Sequence, residues 1–155
     1  MRLTCLIFTF LLAAPVAFCT PDTVNISSYG LAPNSRENAV PYVQKALAAC
    51  KGRMDNVIYF PKGRYDFWPH QCKEEVYFES NTTVCNPRRC AILIKGLEGI
   101  MLDGAGSDFI FHDRMQPFTI DHCNNISIKN VNIDWEIPLL TDAEVVDTNP
   151  DFIDI

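Results

Sequence analysis

Short runs of alternating apolar and polar residues fill the second half of the sequence, and these runs repeat. With an offset of 26 residues, 92–96 falls on 118–122 and 99–104 falls on 125–130. The matched apolar pairs are Ile92 with Phe118, Ile94 with Ile120, Ile100 with Ile126 and Leu102 with Ile128. A period of two that recurs at a fixed spacing is typical of short stacked strands, whereas helical repeats show a period of about 3.6. The pattern predicts a mainly β fold, a parallel β-helix.

Residues before the repeat predict a strand at 24–29 and an amphipathic helix at 35–50, capped by Asn34 and Ser35. The apolar stripe of that helix is Ala39, Val40, Val43, Ala46, Leu47 and Cys50. We expect the helix to cover the open end of the first coil, whose apolar interior would otherwise meet water. Further short strands are predicted at 57–60, 64–69, 76–78, 109–111, 131–135, 144–146 and 152–153.

The first nineteen residues have the pattern of a secretory signal peptide, with Arg2 ahead of an apolar run over 6–17 and Ala17-Phe18-Cys19 at the cleavage position. That run is too short to span a bilayer, and no later run is long enough for membrane insertion. We therefore expect an exported protein, extracellular or, in a bacterium, periplasmic or on the cell surface. Because nothing in the sequence resembles a C-terminal cap, we expect 20–155 to be the N-terminal part of a truncated β-helix domain.

The composition narrows the classes of ligand. The chain is 48% apolar with a net charge of -6, and its largest basic cluster is the pair Arg88-Arg89. This argues against nucleic acid and anionic membrane surfaces and favours a weakly charged ligand such as a carbohydrate. No cofactor is predicted, because Gly104-x-Gly106 follows a strand without opening a helix and so does not form a phosphate-binding loop.

The cysteines that follow the signal peptide are Cys50, Cys72, Cys85, Cys90 and Cys123. In an exported protein they predict one or two disulfides that fasten the 68–90 segment and an odd thiol, without fixing which cysteines pair. The alternative is a metal site in which Cys85 and Cys90 join His112 or His122, but this spacing matches no compact zinc signature, so no metal is predicted. Three glycosylation sequons begin at Asn25, Asn81 and Asn125.

Several motifs together resemble one enzyme family. They are Ser28-Tyr29-Gly30, Phe60-Pro61-Lys62-Gly63-Arg64-Tyr65-Asp66-Phe67-Trp68-Pro69, Glu79-Ser80-Asn81, Leu102-Asp103-Gly104-x-Gly106, Phe109-Ile110-Phe111-His112-x-Arg114-Met115-x-Pro117-Phe118 and Ile133-Asp134-Trp135-Glu136-x-Pro138. In order and spacing the chain resembles the N-terminal part of the α-1,3-galactosidases of glycoside hydrolase family 110, within the pectin-lyase-like superfamily. The resemblance implies a right-handed parallel β-helix and hydrolysis of terminal α-1,3-linked galactose with inversion. It also implies catalytic carboxylates beyond residue 155, so that this chain alone is expected to be inactive.

Inverting hydrolysis needs two carboxyl groups about 6.5–9.5 Å apart. Asp134 and Glu136 are two residues apart on a predicted strand and share its outer face, which makes them the candidate catalytic pair. The alternative is that both are simply outward polar residues, with Asp134 paired to a basic residue on an adjacent coil.

Four further residues are candidates for contact with a sugar. Asp121 and His122 fit either acid–base chemistry or the cap of a turn. Arg114 fits either an ion pair or a ligand for hydroxyl groups, and Trp135, like Trp68, fits either ring stacking or core packing. The competing functions are a catalytically inactive carbohydrate-binding module and a polysaccharide lyase or polygalacturonase-like enzyme, and fold alone decides between none of these.

Overall fold

A computed structural model describes residues 22–78, 86–140 and 142–154, which form a mainly β fold with parallel sheets and one α-helix. The elements are β1 (Asp22–Asn25), α1 (Val40–Ala49), β2 (Asn56–Tyr59), β3 (Arg64–Phe67), β4 (Lys73–Glu75), β5 (Arg88–Lys95), β6 (Glu98–Phe111), β7 (Gln116–Asp121), β8 (Asn124–Trp135), β9 (Asp147–Thr148) and β10 (Ile153–Asp154). The predicted signal peptide, the sequon at Asn81 and Cys85 lie outside the described residues. Within the described part, no helix has the length and apolar character needed to cross a membrane.

The repeat predicted from the sequence is present in the strand register. β5 and β7 run parallel, with Ile92 opposite Phe118 and Ile94 opposite Ile120. β6 and β8 also run parallel and place Ile100 opposite Ile126 and Leu102 opposite Ile128. The predicted pairs are therefore confirmed, and residues 26 apart in sequence are neighbours across a parallel ladder.

The long strand β6 organises the larger sheet. Its first half pairs in parallel with β2 and its second half with β3, while β8 pairs with both halves on the other side. A second sheet has the order β4-β5-β7. The predicted strand at 109–111 is thus the end of β6, and the predicted partner at 131–135 is the end of β8.

Alternation along these strands builds an aromatic core. Phe60, Tyr65, Phe67, Phe109 and Phe111 are all buried, and their neighbouring ring centroids lie 4.8 to 5.9 Å apart. The phenol of Tyr65 donates a hydrogen bond of 2.6 Å to the carbonyl of Pro61, and burial raises its pKa to about 12. Outward residues of the same strands are left to form the surface described below.

The predicted helix begins five residues late. α1 starts at Val40 after the N-cap residue Ala39, which makes no side-chain cap, and residues 34–38 run beside β3 instead. The N–H of Asn34 donates to the carbonyl of Arg64 at 2.9 Å, and the N–H of Ala39 donates to that of Asp66 at 2.8 Å. These backbone hydrogen bonds to β3 replace the helical ones that the amphipathic pattern suggested. The apolar stripe itself is confirmed, since all six of its residues are buried.

Four predicted strands differ from the structure. The strand expected at 24–29 is β1, and it ends at Asn25 because 26–29 forms a 3-10 turn in which the Asn25 side chain accepts from the N–H of Ser27. Residues 76–78 form no strand, and β4 lies earlier, where it pairs antiparallel with β5. No strand forms at 144–146, because β9 begins only at Asp147. It pairs antiparallel with β10, which overlaps the strand expected at 152–153, and the two form a short hairpin instead of continuing the parallel ladder.

The disulfides predicted for this chain do not form among the four cysteines that the structure describes. Cys50 and Cys90 are buried, Cys72 and Cys123 are partly exposed, and all four are free thiols. Cys50 belongs to the buried stripe of α1, while the other three thiols lie 3.2 to 3.7 Å from backbone carbonyl oxygens. The disulfide prediction is therefore wrong for pairs among these four residues.

Candidate functional site

Three outward side chains form a column at the end of the larger sheet. The last residues of β3, β6 and β8 are in register, Phe67 beside Phe111 and Phe111 beside Trp135. The ladder continues one residue further, because the N–H of His112 donates to the carbonyl of Phe67 at 3.0 Å and the N–H of Glu136 to that of Phe111 at 3.1 Å. Since Phe67 and Phe111 point inward, the next residues point outward. Trp68, His112 and Glu136 therefore lie side by side.

The indole of Trp68 stacks on the imidazole of His112, with ring centroids 3.5 Å apart and an angle of 7° between the planes. Beneath them lies Asp66, an outward residue of β3 that is only 1% exposed because residues 34–38 cover it. His112 Nε2 lies 2.9 Å from Asp66 Oδ1. An ionised carboxylate only accepts, so Nε2 carries the proton in this pair.

Two arginines complete the arrangement, which we name the outer cluster: Arg36, Arg64, Asp66, Trp68, His112 and Glu136. Arg64 binds both oxygens of Asp66 through Nε, at 3.2 and 3.1 Å, and its Nη2 donates both to Asp66 at 2.7 Å and to Glu136. Arg36 lies 3.7 Å from Asp66 and 4.0 Å from Glu136 and is 60% exposed. Two guanidinium groups thus neutralise two carboxylates.

Hydrogen bonds and neighbouring charges set the ionisation state of the two carboxylates in the outer cluster. Burial alone would raise the pKa of Asp66, but hydrogen bonds from Arg64 and His112 and the charges of both arginines outweigh burial and hold it below its ordinary value. The hydrogen bond from Arg64 likewise lowers the pKa of Glu136, and the hydrogen bond to Asp66 raises the pKa of Arg64. Both carboxylates are therefore ionised at neutral pH.

A cavity of about 850 Å³ opens on the outer cluster, and we name it the outer cavity. Its polar wall comes from Arg36, Asp66, His112 and Glu136, and its apolar wall includes Trp68 and Ile137. This volume is within the range typical of small-molecule sites, and the lining combines an apolar surface with a few convergent polar groups.

The same residues include a trio that could hold a metal ion. Single ligand atoms of Asp66, His112 and Glu136 lie within 4.8 Å of one another, the only such group among the residues that the structure describes. Arg64 already bridges the two carboxylates, and Arg36 lies beside them. A divalent cation would meet two positive charges at this position, so the electrostatics favour an uncharged ligand over a metal.

The two residues of the predicted catalytic pair, Asp134 and Glu136, make different contacts although they are only two positions apart. Glu136 joins the outer cluster, whereas Asp134 lies opposite Ile110 and accepts a hydrogen bond of 2.8 Å from the N–H of Trp135. Asp134 therefore contacts the backbone of its neighbour within β8, and not a basic residue on an adjacent coil as the sequence suggested. It does not line the outer cavity.

Asp121 and His122 belong to a different cluster, on the second sheet. Asp121 accepts a hydrogen bond from the phenol of Tyr77 at 2.9 Å, lies 3.2 Å from Lys95 and also bonds the ring of His122. The hydrogen bond from Tyr77 leads the contacts that lower the pKa of Asp121. His122 has a left-handed backbone with φ of 50°, which agrees with the turn interpretation.

The remaining predicted residues lie elsewhere. Arg114 and Trp135 line a separate cavity of about 670 Å³, and the ring of Trp135 also packs against Phe111 with centroids 5.7 Å apart. Of the described sequons, Asn25 uses its side-chain oxygen to accept from the N–H of Ser27, while Asn125 is exposed at the start of β8 with φ of 53°.

Arg36, Arg64 and Asp66 are site residues that the sequence did not predict, and His112 was not predicted to bind a sugar. The column depends on offsets of 44 and 24 residues, between Trp68 and His112 and between His112 and Glu136, which differ from the repeat of 26. One signal was present: the three motif segments 63–69, 109–118 and 133–138 each carry at least one outer-cluster residue.

Comparison with known proteins gives one consistent result. The chain is 44% identical to an alpha-1,3-galactosidase B of Bacteroides thetaiotaomicron over 152 residues, which is 98% of this chain and 25% of that protein. It is 33% identical to an alpha-1,3-galactosidase A of Shewanella woodyi over 90% of this chain and 23% of the relative, and 32% identical to an alpha-1,3-galactosidase B of Phocaeicola vulgatus over 97% and 26%. No model of a protein family matches the chain. The chain resembles alpha-1,3-galactosidases over almost its whole length, and it spans about a quarter of the length of these curated relatives.

Proposed function

We propose that the outer cavity binds the terminal galactose of a glycan, and that this binding serves the hydrolysis of α-1,3-linked galactose with inversion in the whole protein. The observation that carries the proposal is the outer cluster: an aromatic ring, two carboxylates and two guanidinium groups converge on one cavity. The relatives that the chain resembles carry names that specify α-1,3-galactosidase activity, which supplies the substrate class.

A galactose ring presents an apolar C–H face and a set of hydroxyl groups. In the outer cavity the 38%-exposed indole of Trp68 offers an apolar surface for the ring face. Glu136, which is 46% exposed, accepts hydrogen bonds from hydroxyl groups, and Arg36 donates to their oxygens. The cluster is held in place by its own ion pairs before any ligand arrives, so little ordering is required on binding.

The same electrostatics argue for binding rather than proton transfer at this cavity. Inverting hydrolysis requires one carboxyl group that carries a proton and one that does not. Asp66 and Glu136 both have lowered pKa values, because Arg64 binds both. Neither is a proton donor at neutral pH, so we propose that this chain binds the glycan without cleaving it.

Two further elements belong to the proposal. The parallel sheets are taken as the first coils of a right-handed β-helix, supported by the ladder between residues 26 apart. Export is supported by the apolar N-terminal sequence with Arg2 and the Ala17-Phe18-Cys19 segment. Export would place the outer cavity in a compartment where glycans are present.

The test measures binding and release separately on the full chain. Galactosyl-α-1,3-galactose is titrated calorimetrically, and free galactose is assayed enzymatically after prolonged incubation. We expect binding without release, and at least about tenfold weaker binding in Trp68→Ala. Phe78→Ala is the matched control, because Phe78 is an exposed aromatic residue away from the cavity. Failure of the disaccharide to bind at any accessible concentration would overturn the proposal, and galactose release would show that the chain is an enzyme by itself.

A further inference from the structure

A second cavity adjoins the outer cavity on the side of α1. It measures about 520 Å³, and we name it the helix-side cavity. Arg36 and Trp68 line both cavities, so the two cavities share part of their walls. The rest of its wall comes from the two residues that follow Arg36, from the first turn of α1, including Tyr42, and from the residues that follow β3, including Gln71.

The lining of the helix-side cavity combines two aromatic rings with planar polar groups. Trp68 and Tyr42 supply the rings, and Glu37, Asn38 and Gln71 supply carboxylate and amide groups. Aromatic faces pack against apolar C–H surfaces, while amides and carboxylates exchange hydrogen bonds with hydroxyl groups. Arg36 and Glu37 give the lining one charge of each sign, so it has no strong field that would select a charged ligand.

Hydrogen bonds fix these walls in the absence of a ligand. The phenol of Tyr42 donates to Glu37 at 2.9 Å, and Asn38 donates to the side-chain oxygen of Gln71 at 3.1 Å. The side-chain oxygen of Asn38 also accepts from the backbone N–H of Trp68 at 3.0 Å, which ties the backbone of Trp68 to the segment that carries Arg36. A site with preset walls loses little conformational entropy when a ligand binds.

We infer that the helix-side cavity is a second sugar subsite, which holds the neutral hexose next to the terminal galactose of the same glycan. The inference rests on the proposed function of the outer cavity and extends it to a substrate of at least two sugars. α1 then has a role beyond covering the apolar interior, because its first turn forms one wall of the subsite.

The experiment compares galactose with galactosyl-α-1,3-galactose on the full chain by calorimetric titration. In the unmodified protein the second sugar should strengthen binding by about tenfold. The double variant Glu37→Ala, Gln71→Ala should lose that gain and keep its affinity for galactose within about twofold. Glu98→Gln is the control, because Glu98 is an exposed residue on β6 that lines neither cavity. Thermal unfolding verifies that each variant is folded.

The outcomes separate the two proposals. If galactose binds and the second sugar adds no affinity, the subsite is wrong and the proposed function stands. The subsite is also wrong if the double variant weakens galactose and the disaccharide equally, since its residues would then act on the outer cavity. If neither saccharide binds, both proposals are overturned.

Discussion

The indole of Trp68 lies flat on the imidazole of His112, 3.5 Å between centroids, although the two residues are 44 positions apart in sequence. The contact follows from the register of the larger sheet, which sets Phe67 beside Phe111 and turns the next residue of each strand outward. Asp66 binds the same imidazole from the buried side. The stack, the carboxylate beneath it and the two arginines define the face on which we place the ligand.

Arg64 should be the residue on which the outer cluster most depends. Arg64→Gln removes the guanidinium that binds both Asp66 and Glu136 and leaves a buried carboxylate with fewer partners. We expect a loss of about 3 kcal/mol in the free energy of unfolding, measured by urea denaturation. The matched control is Arg53→Gln, because the pair of Arg53 with Asp22 at 2.7 Å is exposed on both sides and should contribute less than about 1 kcal/mol. Equal losses in the two variants would contradict the assignment.

The lowered pKa of Asp66 gives stability a defined pH dependence. A carboxyl group whose folded pKa lies below its unfolded value of about 3.9 stabilises the fold above that value, and this contribution is lost as pH falls through the folded pKa. Asp66→Asn cannot titrate, so its free energy of unfolding should fall less steeply below about pH 4 than that of the unmodified protein. Asp103, Asp121 and Glu136 also have lowered pKa values and keep part of the slope in both proteins. Unfolding in urea at several pH values checks this, and parallel curves would refute it.

The aromatic core should be sensitive to truncation at its centre. Phe109 is fully buried and contacts the rings of Phe60, Tyr65 and Phe67. Phe109→Ala should therefore cost roughly 3 to 5 kcal/mol of unfolding free energy. Phe78→Ala, at a residue that is 92% exposed, should change it by less than about 0.5 kcal/mol. A small effect at Phe109 would mean that β6 does not pack as described.

At Gly104, β6 lies too close to β8 to leave room for a side chain. A Cβ atom at this position would lie 2.6 Å from the carbonyl oxygen of Asn130 and would also collide with the Val131 side chain. Gly104→Ala should therefore destabilise the protein by about 1 to 3 kcal/mol, because backbone cannot move aside as a flexible side chain can. Ser127→Ala, at an exposed position on β8, is the control and should be close to neutral. Thermal unfolding of both variants gives the comparison.

The described cysteines should react as shielded thiols. Burial raises the pKa of Cys72 to about 11, and burial also raises the pKa values of Cys50 and Cys90. Iodoacetamide at neutral pH should therefore label these three residues slowly in the native protein and fully after unfolding without reductant. Peptide mapping by mass spectrometry measures this site by site. A disulfide between any two of them would appear as resistance to labelling until reductant is added.

The sequence predicted those features that depend on a regular period. Ile92 with Phe118 and Ile100 with Ile126 could be paired in advance, because inward residues of stacked parallel strands recur at a constant offset. The buried stripe of α1 was equally predictable from its helical spacing. Its start was not, since residues 34–38 bind the backbone of β3 and tertiary pairing there overrides the local pattern.

The site was only partly predictable. Glu136 could be identified as an outward carboxylate, but its partner in the structure is Arg64 and not Asp134. That pairing could not be predicted because the segments that connect the strands differ in length, so no single sequence offset brings these residues together. Asp66 could not be predicted for a different reason. It is an outward residue of β3, and it is buried in the structure because residues 34–38 cover it.

The chain contains two tryptophans, so its NMR spectrum has two indole N–H resonances, and they report directly on where a sugar binds. Titration of the full ¹⁵N-labelled chain with galactosyl-α-1,3-galactose should shift the Trp68 resonance in a saturable way and leave that of Trp135 unchanged, because Trp135 packs against Phe111 away from the outer cavity. The Trp68→Phe variant assigns the two signals. A saturable shift confined to Trp135, or no shift of either resonance, would contradict the proposal that the Trp68–His112 face binds the glycan.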